Sequence, residues 1–346
     1  MHYAVIGFGC AGYYAAKTIR ENDPDGIITV FSEHNYSPYN PMLTTYFAAG
    51  KIPFESLFPF GSLKQIEEEY RLDIRTGTKV KAVHAAEQQI VLEDGETVGY
   101  DRLLIASGAS AFAPVFDGLD PADAFYMRTV DDAVRLKNEL EEKPHRSALV
   151  VGASMVGIKV VELLNGQGIH TVLADLAPAI FPLASYPDVA AEIERRISAK
   201  GVELALGKGL QKAEKTADGY HCTMSDGSTV DADLIVLCIG TRANTKIVDP
   251  NEIKINRGIV VDDAMATSWP GVYAAGDCCE GHELQSRNTM IIGLWANAAH
   301  QGTTAGANMT GKAAEFDGNF LHNITHFMDM DFIGFGDNRK IGRAHV

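Results

Sequence analysis

Two stretches of the chain repeat one pattern of apolar and polar positions. In the first, an apolar run from Tyr3 to Ile6 meets a glycine-rich turn at Gly7, residues 11–20 continue without proline, and a second apolar run from Ile27 to Phe31 stops just before Glu33. In the second, Ala148 to Val151 meets Gly152, a proline-free stretch continues to about Gly166, and Thr171 to Ala174 ends at Asp175. Short apolar runs bounded by glycine read as strands buried on both faces, and the longer stretches between them as helices. Each copy therefore predicts a strand–helix–strand unit of an α/β fold. The sequence Asp23-Pro24-Asp25-Gly26 supplies the turn that closes the first helix.

The rest of the pattern is coarser. A helix-like stretch begins over residues 40–46, after the proline-marked loop Ser37-Pro38-Tyr39-Asn40-Pro41. Val80 to Glu96 alternates as strands of a small antiparallel sheet do, with a turn at Glu93-Asp94-Gly95. Leu103 to Ala106 reads as a short buried strand ending in Ser107-Gly108, and Asp131 to Glu142 as an amphipathic helix. Leu234 to Ile239, ending at Gly240, and the runs around residues 259–262 and 271–277 read as further strands.

The turns inside the two copies carry chemistry. The first is Gly7-Phe-Gly9-Cys10-Ala11-Gly12, a Gly-x-Gly-x-x-Gly turn between a strand and a helix. Gly7 permits the tight turn, Gly9 lets backbone approach a pyrophosphate, and Gly12 lets helix lie close on strand. The N–H groups at the helix start, with the helix dipole, hold phosphate charge. Glu33 follows Gly12 by 21 residues, where a carboxylate can accept both hydrogen bonds of a ribose diol. The second turn is Gly152-Ala-Ser154-Met155-Val156-Gly157, with Ser154 as a small residue in the middle glycine's place and Asp175 following Gly157 by 18 residues. A carboxylate at Asp175 repels a 2′-phosphate and no arginine follows it as far as Pro182, so NADH is favoured over NADPH. One such turn is weak evidence for a nucleotide; two in the same strand–helix context, each with a spaced acid, are strong.

Composition narrows the remaining classes. The chain has 346 residues, 46% apolar and 22% charged, enough for two domains of ordinary size. A net charge of −15 repels nucleic acid, and no basic cluster offsets it: Lys79 and Lys81 stand apart, and Arg195-Arg196 sit among Glu192 and Glu194. The longest apolar stretch, residues 148–164, is broken by Lys159, Glu162 and two glycines, so no membrane span is expected. Met1-His2 runs straight into the first strand without a basic leader, which with five unpaired cysteines, vicinal Cys278-Cys279 among them, suggests a cytoplasmic protein with reduced thiols.

These residues resemble the FAD- and NAD(P)-dependent pyridine nucleotide–disulfide oxidoreductase superfamily, and within it the NADH:rubredoxin reductase and nitrite reductase-like flavoprotein branch. The resemblance covers about residues 1–335. Besides the two turns it rests on Tyr100-Asp-Arg-Leu-Leu-Ile-Ala106-Ser107-Gly108, on Leu234-Ile-Val-Leu-Cys-Ile-Gly240-Thr-Arg-Ala-Asn244, on Ala266 through Gly276-Asp277, and on Trp295-Ala-Asn-Ala-Ala-His-Gln301-Gly302.

The resemblance implies a fold of two Rossmann-like dinucleotide-binding domains, each a three-layer ββα structure. The NAD(P) domain, 113–244, is inserted in a discontinuous FAD domain, 1–112 and 245–310, and 311–346 is a remnant or truncated start of an interface domain. It implies that FAD meets Gly7, Gly9, Cys10, Ala11, Gly12 and Glu33, with Asn40, Val80 and the Ala106-Ser107-Gly108 segment nearby. Asp277, beside Gly276, bonds the ribitol, and the backbone at Leu294 and Trp295 faces the flavin pyrimidine from a helix N-terminus. NAD meets Gly152, Ser154, Met155, Val156, Gly157, Asp175 and Gly240. Hydride then passes from NADH to flavin N5.

Four departures bear on the activity and the assembly. The region Tyr36 to Tyr46 has no cysteine where disulfide reductases carry the reactive thiol, so electrons are expected to leave the flavin directly. Asn40 stands where the branch often has an arginine, which removes a charged contact to an FAD phosphate. Lys159 stands where many relatives have a glutamate on the nicotinamide side; it reads equally as a solvated helix residue, with Glu162 as an i,i+3 partner. The short tail leaves homodimer formation open, and His322 and His326 lie at the i,i+4 spacing of a helix without a third metal ligand. The acceptor is a small redox protein, dioxygen or a quinone-like compound. The alternative is a flavin-binding regulatory or assembly subunit with little turnover, and a reductase using Cys10 is a weaker third.

Overall fold

The computed structural model describes residues 1–336. The described residues form two compact units: residues 1–40, 58–110 and 242–320 in the first, and 41–57, 111–241 and 321–336 in the second. Among the described residues are α-helices α1 (Cys10–Asn22), α2 (Thr44–Ala48), α3 (Leu63–Tyr70), α4 (Val130–Glu142), α5 (Met155–Gly166), α6 (Pro187–Ala199) and α7 (Trp295–Met309).

The first unit is built on a parallel five-stranded sheet, in the order Val272–Ala274, Arg102–Ile105, His2–Ile6, Ile27–Phe31, Asp73–Arg75. Its central strands are apolar on both faces because both faces are covered, and Val5, Val30, Leu104 and Ala274 are fully buried. Helices α1 and α7 pack closely because their contact is made of small residues. A Cβ at Gly302 would run into the Ala11 carbonyl, and one at Gly306 would come within 2.7 Å of the Ala15 oxygen. Helix α3 starts on a capping box, in which Ser62 accepts from the Gln65 N–H and the Gln65 side chain accepts from the Ser62 N–H. The alternating stretch forms a small antiparallel sheet of Val80–His84, Gln89–Leu92 and Thr97–Gly99.

The second unit has a parallel four-stranded sheet, ordered Glu203–Leu206, His170–Asp175, Ser147–Val151, Leu234–Leu237. A three-stranded antiparallel sheet, residues 210–232, lies in the chain between the parallel strands Glu203–Leu206 and Leu234–Leu237. Residues 41–57, which the sequence reading left within 1–112, pack in this unit, where Phe47 and Phe54 meet edge to face at 5.4 Å.

The tail departs from the reading most. Residues 311–320 pack with the first unit, and 321–336 with the second. His322–Phe327 and Met330–Phe335 form an antiparallel hairpin, joined by Met328 and Asp329, both at positive φ (46° and 66°). Phe327, Met330 and Phe332 alternate inward and are buried, whereas Ile324, Ile333 and Phe335 are exposed. His322 and His326 therefore lie on a strand and not on a helix, because period-two alternation governs this stretch. His326 pairs with Asp331 at 2.8 Å and His322 stacks on Phe335. No group of three or more metal-type side chains forms among the described residues. The last ten residues of the expected remnant lie outside the described ones.

Candidate functional sites

Each parallel sheet has one point where successive connections leave to opposite sides, the place where open α/β sheets bind ligands. In the first unit it lies between the ends of His2–Ile6 and Arg102–Ile105. Gly7 turns there at φ +93°, and a Cβ on it would collide with the Ala106 carbonyl. A Cβ on Gly12 would collide with the Gly7 carbonyl. Gly9 differs, since nothing lies within 4 Å of where its Cβ would be. Gly9 is also the N-cap of α1 and, having no side chain, makes no capping bond to the N–H groups of the first turn. Two glycines are thus demanded by the protein's own backbone, and the third leaves open room at a helix N-terminus. That cradle fits a dinucleotide pyrophosphate.

The other residues expected for FAD all fall in this unit. Glu33 is exposed and pairs with Lys79 at 3.1 Å. Asn40 is half-buried, at the last position before the chain passes to the second unit. Val80 is buried, beside a bulge at the start of its strand. Ser107 and Gly108 are held by Asn244: the Ser107 hydroxyl donates to the Asn244 carbonyl at 2.7 Å, and the Asn244 amide donates to the Ser107 carbonyl at 2.9 Å. Leu294 caps α7, and the ring of Trp295 stacks on Phe60 at 5.8 Å, with Phe60 stacked in turn on Tyr13 at 3.9 Å. Gly276 turns at φ +82° beside Ala11 and presents Asp277 near Cys10.

Gln301 has a role that its place in the segment 295–302 does not announce. It is buried on α7, and its side-chain oxygen accepts from the Gly276 N–H at 2.8 Å, which fixes the turn carrying Asp277. A glutamine beside the small residues Ala298, Gly302 and Ala305 of this helix was the available signal.

The second unit repeats the arrangement at its own crossover point. Gly152 has φ +114°, and a Cβ there would strike the Cys238 carbonyl; one on Gly157 would strike the Gly152 carbonyl. Ser154 caps α5 and is exposed, with its hydroxyl 3.3 Å from the Cys238 carbonyl that accepts its proton. Met155 and Val156 form the first turn, Val156 largely exposed. Asp175 is pinned: one carboxylate oxygen accepts from the Ala153 N–H at 2.6 Å, the other from Ala177 at 2.8 Å. Gly240, at φ +103°, accepts from the Phe112 N–H through its carbonyl.

Lys159 is not solvated. Its side chain is 11% exposed and pairs with Glu162 one turn on. It also donates to the His326 carbonyl at 2.9 Å and lies 4.4 Å from the centre of the Tyr46 ring. Burial works to raise the Glu162 carboxyl, but the hydrogen bond and charge of Lys159, with Lys51 and the Met328 N–H, outweigh it and hold it below its ordinary value.

The thiols are all buried. Burial, with the charge of Asp277, pushes Cys10 up to about 12. Burial likewise raises Cys222 and Cys238 to about 12, and lifts Cys278 and Cys279. None is activated as a nucleophile. No helix among the described residues is long and apolar enough to cross a membrane.

The chain is similar to known proteins in both sequence and fold. Residues 1–302 match the family described as pyridine nucleotide-disulphide oxidoreductase. An NADH oxidase of Methanocaldococcus jannaschii is 29% identical over 97% of this chain and 76% of its own length. A rubredoxin-NAD(+) reductase of Pseudomonas putida is 27% identical over 90% of this chain and 81% of its own. Among solved structures, a water-forming NADH oxidase from Lactobacillus brevis bound to NADH superposes with a TM-score of 0.92 at 24% identity, covering 97% of this chain and 75% of that one. With a family match across both glycine turns, the chain belongs to the pyridine nucleotide-disulphide oxidoreductase family and is an FAD-dependent oxidoreductase that uses NADH.

Proposed function

We propose that the first unit holds FAD and the second NADH, and that electrons leave for a small redox protein or dioxygen without passing through a thiol. FAD, when bound, supplies hydride acceptance at its N5 and the release of electrons. The chain's residues bind and align. The Gly9 cradle and the first turn of α1 would take the FAD pyrophosphate, Glu33 its ribose and Asp277, set by Gln301, its ribitol. The first turn of α5 would take the NADH pyrophosphate, and Asp175, already oriented by two backbone N–H groups, its ribose diol. A carboxylate so oriented repels a 2′-phosphate, which favours NADH.

The observation that carries the exit without a thiol is the state of the five cysteines, each buried and raised above its ordinary value. The names of the relatives support the acceptor class, since one is called an NADH oxidase and another a rubredoxin reductase. Anaerobic stopped-flow mixing of the yellow protein with NADH tests the reading. Rapid bleaching is expected, followed by reoxidation with dioxygen or an iron–sulfur protein at a rate unchanged by Cys10→Ser. A flavin that NADH does not bleach would point instead to a regulatory subunit.

A further inference from the structure

The hairpin of residues 322–335 is held to the second unit at two places, helix α5 and the loop after Asp175. At α5, Lys159 donates to the His326 carbonyl at 2.9 Å, and Glu162 accepts from the Met328 N–H. Lys200, just past α6, pairs with Asp329 at 2.7 Å. At the other place lies Phe181, in the loop that leaves Asp175. Its ring is buried, 5.6 Å from Phe327 and 4.9 Å from Phe332. The hairpin also sits close beside this loop, because a Cβ at Gly334 would lie 2.8 Å from the Ala184 carbonyl.

Phe181 has φ +50°, a left-handed conformation unusual for an aromatic residue, which surrounding structure must enforce. Its backbone shows what the strain holds in place. The Phe181 N–H donates to the Ala153 carbonyl at 3.0 Å, and Ala153 lies inside the phosphate turn. The Ala153 N–H in turn donates to Asp175 at 2.6 Å. Both polar groups of one peptide residue in the turn are thus taken, one by the ribose-side acid and the other by Phe181.

We infer that the hairpin is a positioning clamp for the NADH site, acting through Phe181 on the phosphate turn. This rests on reading residues 152–157 and Asp175 as that site. The hairpin's contacts fall on Lys159, Glu162, Lys200, Phe181 and the Ala184 carbonyl. It holds the Phe181 ring, the ring holds the backbone at φ +50°, and that backbone holds the turn.

Three variants test it. Phe181→Asn keeps a residue that tolerates the left-handed conformation but removes the ring. Phe332→Leu thins the hairpin's grip without touching the loop's backbone. Asp175→Ala is the reference for the site itself. The Michaelis constant for NADH is expected to rise about tenfold in Phe181→Asn and several-fold in Phe332→Leu, with kcat at saturating NADH and bound FAD within about twofold. Hydrogen exchange of the peptide covering 176–186 should quicken in both. A purely structural role would lower the melting temperature without that selective change in Michaelis constant. If Asp175→Ala weakens NADH while neither phenylalanine variant does, the clamp is wrong. If Asp175→Ala also leaves NADH unaffected, the assignment of the site fails, and the clamp fails with it.

Discussion

Cys10 sits in the first turn of α1, where a thiol would ordinarily gain acidity from the helix N-terminus. Burial and the nearby Asp277 charge reverse that and push it up to about 12. Because an unfolded thiol ionises near pH 9, the folded state binds protons that the unfolded state has lost above that pH. The stabilising contribution is complete below about pH 9 and fades as pH rises toward 12, and Cys222 and Cys238 share the window. Urea midpoints should therefore fall steadily from pH 9 upward, and less so in a Cys10→Ser, Cys222→Ser double variant. Native protein should resist iodoacetamide at pH 8, and rapid labelling there would contradict the burial. Lys159 permits another test at this scale. Lys159→Glu sets two carboxylates one turn apart and leaves the His326 carbonyl unserved, so a loss of about 2–4 kcal/mol is expected by denaturant titration. Lys159→Arg should lose far less.

At the scale of elements, α1 and α7 depend on one another through glycine. Gly302→Val would force the helices apart at Ala11, the residue after the Gly9 cradle's first N–H, so the purified protein should carry much less FAD by its visible absorbance. Ser62→Ala should cost about 1 kcal/mol in thermal unfolding by removing one half of the α3 capping box. Elements of this kind were unevenly legible. The two strand–turn–helix copies could be read because buried parallel strands and their glycines leave an unbroken local signature. Helix α3 was written in Ser62-x-x-Gln65 but is too short for its period to stand out. The tail misled, since His322 and His326 fit a helix by spacing and only the alternation through Phe335 marks the hairpin. Gln301 showed only as a glutamine among small helix residues, without its partner, and the role of Phe181 was not legible at all. One acts through the Gly276 N–H, 25 residues distant in sequence, and the other through a backbone angle that no residue type announces.

At the scale of the whole molecule, the net charge of −15 sets how electron acceptors approach. Steady-state turnover with anionic ferricyanide should rise with ionic strength, and turnover with basic cytochrome c should fall. An equal response from both would mean that a local patch overrides the global field. The route of the chain has a consequence for how the protein is made. Its backbone passes between the two units at residues 40/41, 57/58, 110/111, 241/242 and 320/321. The strand His2–Ile6 and helix α1 emerge first from the ribosome, yet α7 and the strand Val272–Ala274 that complete their layer come more than 250 residues later. During synthesis four of that sheet's five strands must wait with the surface that α7 and the last strand cover still exposed, while residues 111–241 are free to fold ahead of it. Pulse-labelled nascent chains should therefore gain protease resistance in the middle of the sequence before the beginning.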